Sequence, residues 1–210
     1  RTLLGAPAGH RVVSIDYRTI EPRVAAHYAR QEHHFRRGHD FYNAVGASVY
    51  GCRAMHVTHG QRGQVKAAVN ATINGAGIMK VAELLGVAAD TAEQFVDAYP
   101  FLRWIGGPGS RVAASGDRVV TLGGRVYQIP GLDNDQIQHG GFYRRRAQTT
   151  LIQAGATDIV LDRIVAAYES SGLCPSLLVH DEVVYLVPED DMNQIVPALI
   201  DVLQTPLGGF

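Results

Sequence analysis

Two short acidic segments stand at opposite ends of the chain, SIDY with Asp16 and VHDE with His180, Asp181 and Glu182, and 165 positions (181 minus 16) separate the two aspartates. Each segment lies at the edge of a stretch that reads as strand. If those strands neighbour one another in one sheet, the two carboxylates would face a gap suited to Mg²⁺, which is typically held by one or two carboxylates plus substrate phosphates. Two such ions roughly 4 Å apart clamp the attacking and leaving oxygens of phosphoryl transfer. In LLVHDEVVYLVP the three ionisable residues sit between apolar runs that both read as buried strand. Three such groups are costly there unless something pairs with them, and a metal ion would suffice.

A third group lies in GQRGQVKAAVNATINGAG, where Arg62, Lys66, Asn70 and Asn74 recur every four residues. On a helix they share one slowly drifting face, cationic and then polar. Cations at one-turn spacing suit a chain of phosphates. Each group alone has a plainer reading: Asp16 as a turn former or cap, Asp181 as a hairpin-turn residue, and Arg62 with Lys66 as a solvated face. Together, acid, metal and polyphosphate grip form one consistent set. His33, His34, His56 and His59 lack a third ligand and read as surface residues, and Trp104 and Tyr99 as packing residues.

The elements that must position these groups follow from period and punctuation. RVVSID reads as a strand ending near Asp16, and IEPRVAAHYARQ from Ile20 as a helix with Pro22 in its first turn and Val24, Ala25 and Tyr28 on one face. HDFYNAVGASVYG reads as a helix capped by Asp40 and stopped by Gly51. A helix from about Gln61 to Asn74 is ended by Gly75 and Gly77, and MKVAELLG and TAEQFVDAYPFLRWI are further helical pieces. SRVAASGDRVVTLGGRVYQIPG predicts a hairpin turning at Gly123 and Gly124. A long helix from about Asn134 to Ser171 counts Ile152, Ile159, Leu161 and Val165 among its apolar positions. SLLVHDEVVYLVP gives strand, tight turn and strand, and DDMNQIVPALIDVL a last helix whose middle Pro197 leaves open. Strands at both ends with a helical block between them predict an α+β layout with a helical insertion.

Composition narrows the class. With 46% hydrophobic and 19% charged residues in 210, the chain can bury a real core, which excludes a disordered polymer. No apolar run approaches the roughly 20 residues of a membrane span and no leader opens the chain, so a cytoplasmic setting is the default expectation. Cys52 and Cys174 suggest neither a disulfide framework nor a zinc ribbon and read as buried, reduced thiols. A formal net charge of -1 predicts that any polyanion site is local, near Arg36 and Arg37, Arg62 and Lys66, or Arg144, Arg145 and Arg146. The opening Arg1, with a strand almost at once, reads as a piece of something longer.

The order RTLLGAPAGHRVVSIDYRTIEPRVAAHYA, RGQVKAAVNATINGAG, GRVYQIP, RRRAQTTLIQAGATDIV and LLVHDEVVYLVP resembles the polymerase core of the family A DNA polymerases, over nearly the whole chain. The resemblance implies an antiparallel palm sheet with a helical fingers insertion: residues 1–24 as the first palm segment, 25–140 as the fingers and 141–210 as the second palm segment. It implies template-directed transfer of a nucleotide from a dNTP to a primer 3'-hydroxyl, with two Mg²⁺ ions for which Mn²⁺ can substitute. Asp16 and Asp181 are similar to the family's catalytic metal carboxylates, with the carbonyl of Tyr17 as a further ligand, and Glu21 to its steric gate against a ribose 2'-hydroxyl. Arg62 and Lys66 match the residues that hold the triphosphate, Lys66 also protonating the leaving pyrophosphate. Arg145, Gln153 and His180 fall where the family contacts primer or template, and Glu182 is a neighbouring acid.

Partners implied are primer-template DNA and dNTPs, with no membrane, in the cytoplasm or that of a viral host; either the chain is an excerpt whose thumb and exonuclease lie before Arg1, or a partner chain supplies them. Asn70 and Asn74 stand where the family places rings that stack on the nucleotide and guard the template base. Arg18, Thr19, Pro22, Ala154 and Gly155 also depart from commoner residues, as in a divergent member such as a phage enzyme. Two other readings use the same residues: a non-catalytic nucleic-acid-binding subunit, and a metal-dependent phosphodiesterase.

Overall fold

Alternation of β-branched and polar residues gives the first strand its two-residue period, and the chain folds it as β1 (His10–Asp16). The computed structural model describes residues 5–35, 38–103, 118–130 and 142–205, apart from the side chains of Phe142 and Arg144. Two units compose it, Arg1–Ile20 with Ala154–Phe210, and Glu21–Gln153.

In the first unit a three-stranded antiparallel sheet has the order β1-β5-β4, with β4 at Leu177–Val179 and β5 at Glu182–Pro188. The register of β1 on β5 runs from His10 opposite Pro188 to Asp16 opposite Glu182. Central β5 buries Val183, Val184, Tyr185 and Val187, the near-continuous apolar run of a strand covered on both faces. The C-terminal helix of the unit, Met192–Gln204, packs on β5 and buries Leu199 and Leu203. It continues through Pro197. The proline removes one backbone donor, and the buried leucines beyond it hold the later turns in place.

The expectation that both apolar runs around His180 are buried strand fails in this unit. Leu177, Leu178 and Val179 are 38–41% exposed, so only one of the two apolar runs around His180 is buried. An edge strand has a partner on one side only, and a short apolar run does not reveal whether it lies at the edge. The long helix Phe142–Ser171 buries Val160 and Ala167 in this unit, whereas Leu161 and Val165 are exposed. Its expected start at Asn134 lies outside the described residues. Cys174 is exposed and Cys52 half-buried, both free, which corrects the reading of two buried thiols.

The second unit is mainly helical. Its helices are α1 (Ile20–Tyr28), α2 (Phe41–Tyr50), α3 (His59–Ile73), α4 (Ile78–Leu85) and α5 (Ala89–Ala98); α6 (Phe142–Ser171) has residues in each unit, and α7 (Met192–Gln204) is the C-terminal helix of the first. Helix α1 carries Pro22 in its first turn and buries Val24, Ala25 and Ala26. Asp40 caps α2, its Oδ1 accepting from the Asn43 N–H at 3.0 Å, and Gly51 ends it. Helix α3 starts two residues before the expected Gln61, because Thr58 and Gln61 form a reciprocal capping box. It ends at Asn74 and Gly75, while Gly77 serves as N-cap of α4 and not as a second stop.

Rings of Phe35, Phe41, Phe95, Tyr99 and Phe101 pack together in this unit. His34 joins them 5.1 Å from Tyr99, and burial, then its neighbour His33, lowers its pKa from the usual imidazole value. His34 is half-buried against these rings, whereas His33, His56 and His59 are exposed. Strands β2 (Arg118–Val120) and β3 (Val126–Gln128) form the expected hairpin through Gly123 and Gly124, and residues 110–117 of that segment lie outside the described residues. Val119 of β2 and Ile129, just after β3, share a core with Ala147 and Leu151 of α6. Trp104, Arg36 and Arg37 also lie outside the described residues.

Candidate functional site

The sheet of the first unit answers the condition posed by the two aspartates, because β1 and β5 are neighbours. Asp16 stands opposite Glu182. One row further, the Tyr17 N–H donates to the Asp181 carbonyl at 3.2 Å. The residues 165 positions apart therefore lie on adjacent rows at one end of one sheet, Asp16 exposed and Asp181 half-buried.

Neighbouring side chains fix this end. The Ser14 hydroxyl donates to Glu182 from the adjacent strand. The Tyr17 hydroxyl donates to the Leu203 carbonyl of α7 at 3.0 Å, which anchors the residue beside Asp16 to the packed layer beneath. Burial, with Tyr185 next in weight, pushes the Tyr17 phenol up to about 12, so it stays a neutral donor at neutral pH. His180 opens the β4–β5 turn with φ at 56°, a left-handed conformation uncommon for a residue other than glycine.

Among the described residues no three or more His, Cys, Asp or Glu side chains are grouped to hold a metal ion. Asp16 and Asp181 offer hard oxygen donors of the kind Mg²⁺ takes in ones and twos beside phosphate.

In the second unit, α3 presents the cationic and polar residues. Arg62 pairs with Asp40 at 2.9 Å and lies over the Tyr42 ring. Lys66, one turn on, is exposed and has no hydrogen bond or ion pair among the described residues. Asn74 turns back to the helix, its Nδ2 donating to the Asn70 carbonyl at 2.8 Å, and its Oδ1 accepts from the Thr149 hydroxyl of α6 at 3.1 Å. Gln148 Nε2 donates to the Ile73 carbonyl at 2.9 Å. Asn70 Oδ1 and Gln148 Oε1 are buried acceptors with no hydrogen-bond partner among the described residues.

Arg145 lays its aliphatic stem across Gly75, where a Cβ would come within 2.7 Å of Cδ. Gln153 is exposed on α6 and Glu21 half-buried in the first turn of α1. Asp16, Tyr17, His180, Asp181 and Glu182 thus belong to the first unit, and Glu21, Arg62, Lys66, Asn70, Asn74, Arg145 and Gln153 to the second. Ser14, Asp40, Tyr42, Gln148 and Thr149 escaped the sequence reading as site residues. No local pattern marks them, since the partners that place them here are distant in sequence, 22 to 168 positions away where a hydrogen bond is made.

The model of DNA polymerase family A matches residues 1–207. The chain belongs to this family. It is 31% identical over 210 residues to DNA polymerase I of Pseudomonas aeruginosa, covering 90% of this chain and 22% of that protein. It is 29% identical over 200 residues to DNA polymerase I of Streptococcus pneumoniae, covering 88% of this chain and again 22% of the relative. A solved structure of the POL domain of Pol1 from M. smegmatis, in complex with DNA primer-template and dNTP, matches with a TM-score of 0.78 at 25% identity, over 96% of this chain and 38% of that one. The chain therefore spans about a fifth of the length of the curated polymerases it matches, and the expected α+β class with an antiparallel sheet is the class observed.

Proposed function

We propose that this chain is the palm and fingers of a template-directed DNA polymerase, dividing as residues 1–24, 25–140 and 141–210. The observation that carries the reading is the β1–β5 register, which brings SIDY and VHDE to one sheet end in a family A chain. The primer 3'-hydroxyl attacks the α-phosphate of a dNTP, the bond to the β-phosphate breaks, and pyrophosphate leaves. Asp16 and Asp181, with the Tyr17 carbonyl, are the groups that would hold two Mg²⁺ ions. Bound there, the ions would lower the pKa of the hydroxyl and offset charge on the phosphoryl oxygens, with Mn²⁺ as a substitute.

Arg62 and Lys66 bind the triphosphate, and Lys66 delivers a proton to the leaving pyrophosphate. Glu21 packs where a 2'-hydroxyl would sit, which favours deoxynucleotides. Asn70 and Asn74 border the nucleotide, and Arg145, Gln153, His180 and Glu182 contact the primer-template. Thumb and exonuclease functions come from the rest of a longer chain or from a partner polypeptide, and the reaction runs in a cytoplasm.

The test is extension of a labelled primer on a template with Mg²⁺ and dNTPs, comparing the chain with Asp181→Ala, with and without copurifying protein. Extension should fall on the order of 10³-fold in the variant, the upper range for removing one electrostatic stabiliser. Equal extension by both would remove Asp181 from the chemistry. A second reading, a non-catalytic nucleic-acid-binding subunit, draws support from Asn70 and Asn74, which are amides and have no ring to stack. Under it, dNTP binds and no primer is extended.

A further inference from the structure

The side chain assigned to the triphosphate is itself held from behind. Arg62 directs Nε at 3.3 Å and Nη2 at 2.9 Å to one oxygen, Asp40 Oδ2. Its guanidinium carbon lies 5.2 Å from the centre of the Tyr42 ring. The holders are fixed in turn. The other oxygen of Asp40 accepts from the Asn43 N–H as N-cap of α2, and Tyr42 is buried.

An arginine that binds an anion ordinarily gives up much rotamer freedom at that moment. Here the carboxylate and the ring impose that ordering when the chain folds. Both contacts engage the Nε and Nη2 side and the flat face of the guanidinium. The Nη1 side has no hydrogen bond or ion pair among the described residues. Five N–H donors in a rigid fork allow one edge to stay paired while another takes an oxyanion.

We infer that Asp40 is a positioning residue for nucleotide binding: together with Tyr42 it holds Arg62 in the orientation that receives the polyphosphate. This role rests on the reading of Arg62 as a triphosphate ligand. It assigns Asp40 two separable duties, capping α2 through Oδ1 and orienting Arg62 through Oδ2. Asparagine caps a helix about as well as aspartate. Asp40→Asn therefore keeps the first duty and removes the charge that serves the second.

The experiment measures equilibrium binding of a fluorescent dNTP and of inorganic tripolyphosphate to the protein as it occurs, with any accompanying polypeptide present. Four forms are compared: wild type, Asp40→Asn, Arg62→Ala and the double variant. Asp40→Asn should weaken both ligands on the order of tenfold, as expected when one long side chain regains its freedom. The same substitution should have no effect on the Arg62→Ala background, which a loss of folding alone would not reproduce. Tyr42→Leu, read alongside by circular-dichroism melting, should weaken binding in the same direction with the fold intact. This covers the case in which Asp40→Asn fails to fold.

Unchanged or tighter binding in Asp40→Asn would overturn the role, tighter binding marking Asp40 as a competitor for Arg62. Absence of tripolyphosphate binding by the wild type would overturn it too. Failure of the polymerase reading shows separately: tripolyphosphate binds, Asp40→Asn weakens it, and no primer is extended.

Discussion

His180 holds its backbone at φ 56° in the turn that joins β4 to β5, next to Asp181. A left-handed conformation costs a residue with a Cβ about 1–2 kcal/mol, and such outliers collect at functional sites. Glycine would relieve the strain and lose more entropy on folding. His180→Gly should therefore raise stability by about 0.5–1 kcal/mol, measured by urea unfolding, while losing the proposed contact of the imidazole with primer or template lowers primer extension. A loss of stability would show that the His180 side chain contributes more to the fold than its strain removes. The same local logic separates the carboxylates near this turn. Glu182 is engaged by Ser14 across the strands, and Asp181 is tied to β1 through its carbonyl, which accepts from Tyr17.

The end of α3 is where element chemistry decides most. Gly75 follows the helix at φ 86°, Gln148 of α6 satisfies the last carbonyl at Ile73, and the stem of Arg145 crosses over the glycine. Gly75→Ala meets two obstacles, the positive φ and a Cβ only 2.7 Å from Arg145 Cδ. It should destabilise the second unit by about 1–2 kcal/mol from the backbone alone, seen as a lower urea midpoint at unchanged slope. It should also displace Arg145 and, on the role proposed for that residue, weaken primer-template binding. Arg145→Ala made together with Gly75→Ala removes the clash but not the strain, so the pair should be more stable than additivity predicts. Strict additivity would argue against the contact.

At the scale of the whole molecule, charge limits what the chain can hold. A formal net charge of -1 over 210 residues supplies little general attraction for a phosphate backbone, and neutralised phosphates provide most non-specific affinity. Anisotropy titration of the isolated chain with duplex DNA should show poor binding at moderate salt. The salt slope should be shallow, since each phosphate contact adds roughly 0.9 to it. Tight binding with a steep slope would contradict this and point to a local basic surface stronger than the sequence suggests. Among the described residues no helix is long and apolar enough to cross a membrane.

Much of this protein follows from local chemistry and is legible without coordinates. The strand ending at Asp16, the Asp40 cap, the glycine stops, the hairpin at Gly123 and Gly124 and the His180–Asp181 turn all obey rules that act within a few residues. The spacing of Arg62, Lys66, Asn70 and Asn74 is likewise a property of one helix, and the ordered motifs carry the family resemblance. Tertiary structure alone decided the rest. That β1 pairs with β5, that Leu177 to Val179 lie on an exposed edge, and that Leu161 and Val165 face outward depend on which neighbours each element finds. The Asp40 clamp on Arg62, the Thr149 bond to Asn74 and the Ser14 bond to Glu182 join residues 22, 75 and 168 positions apart. Periodicity tells which side of an element is apolar, but it does not encode what will cover that side.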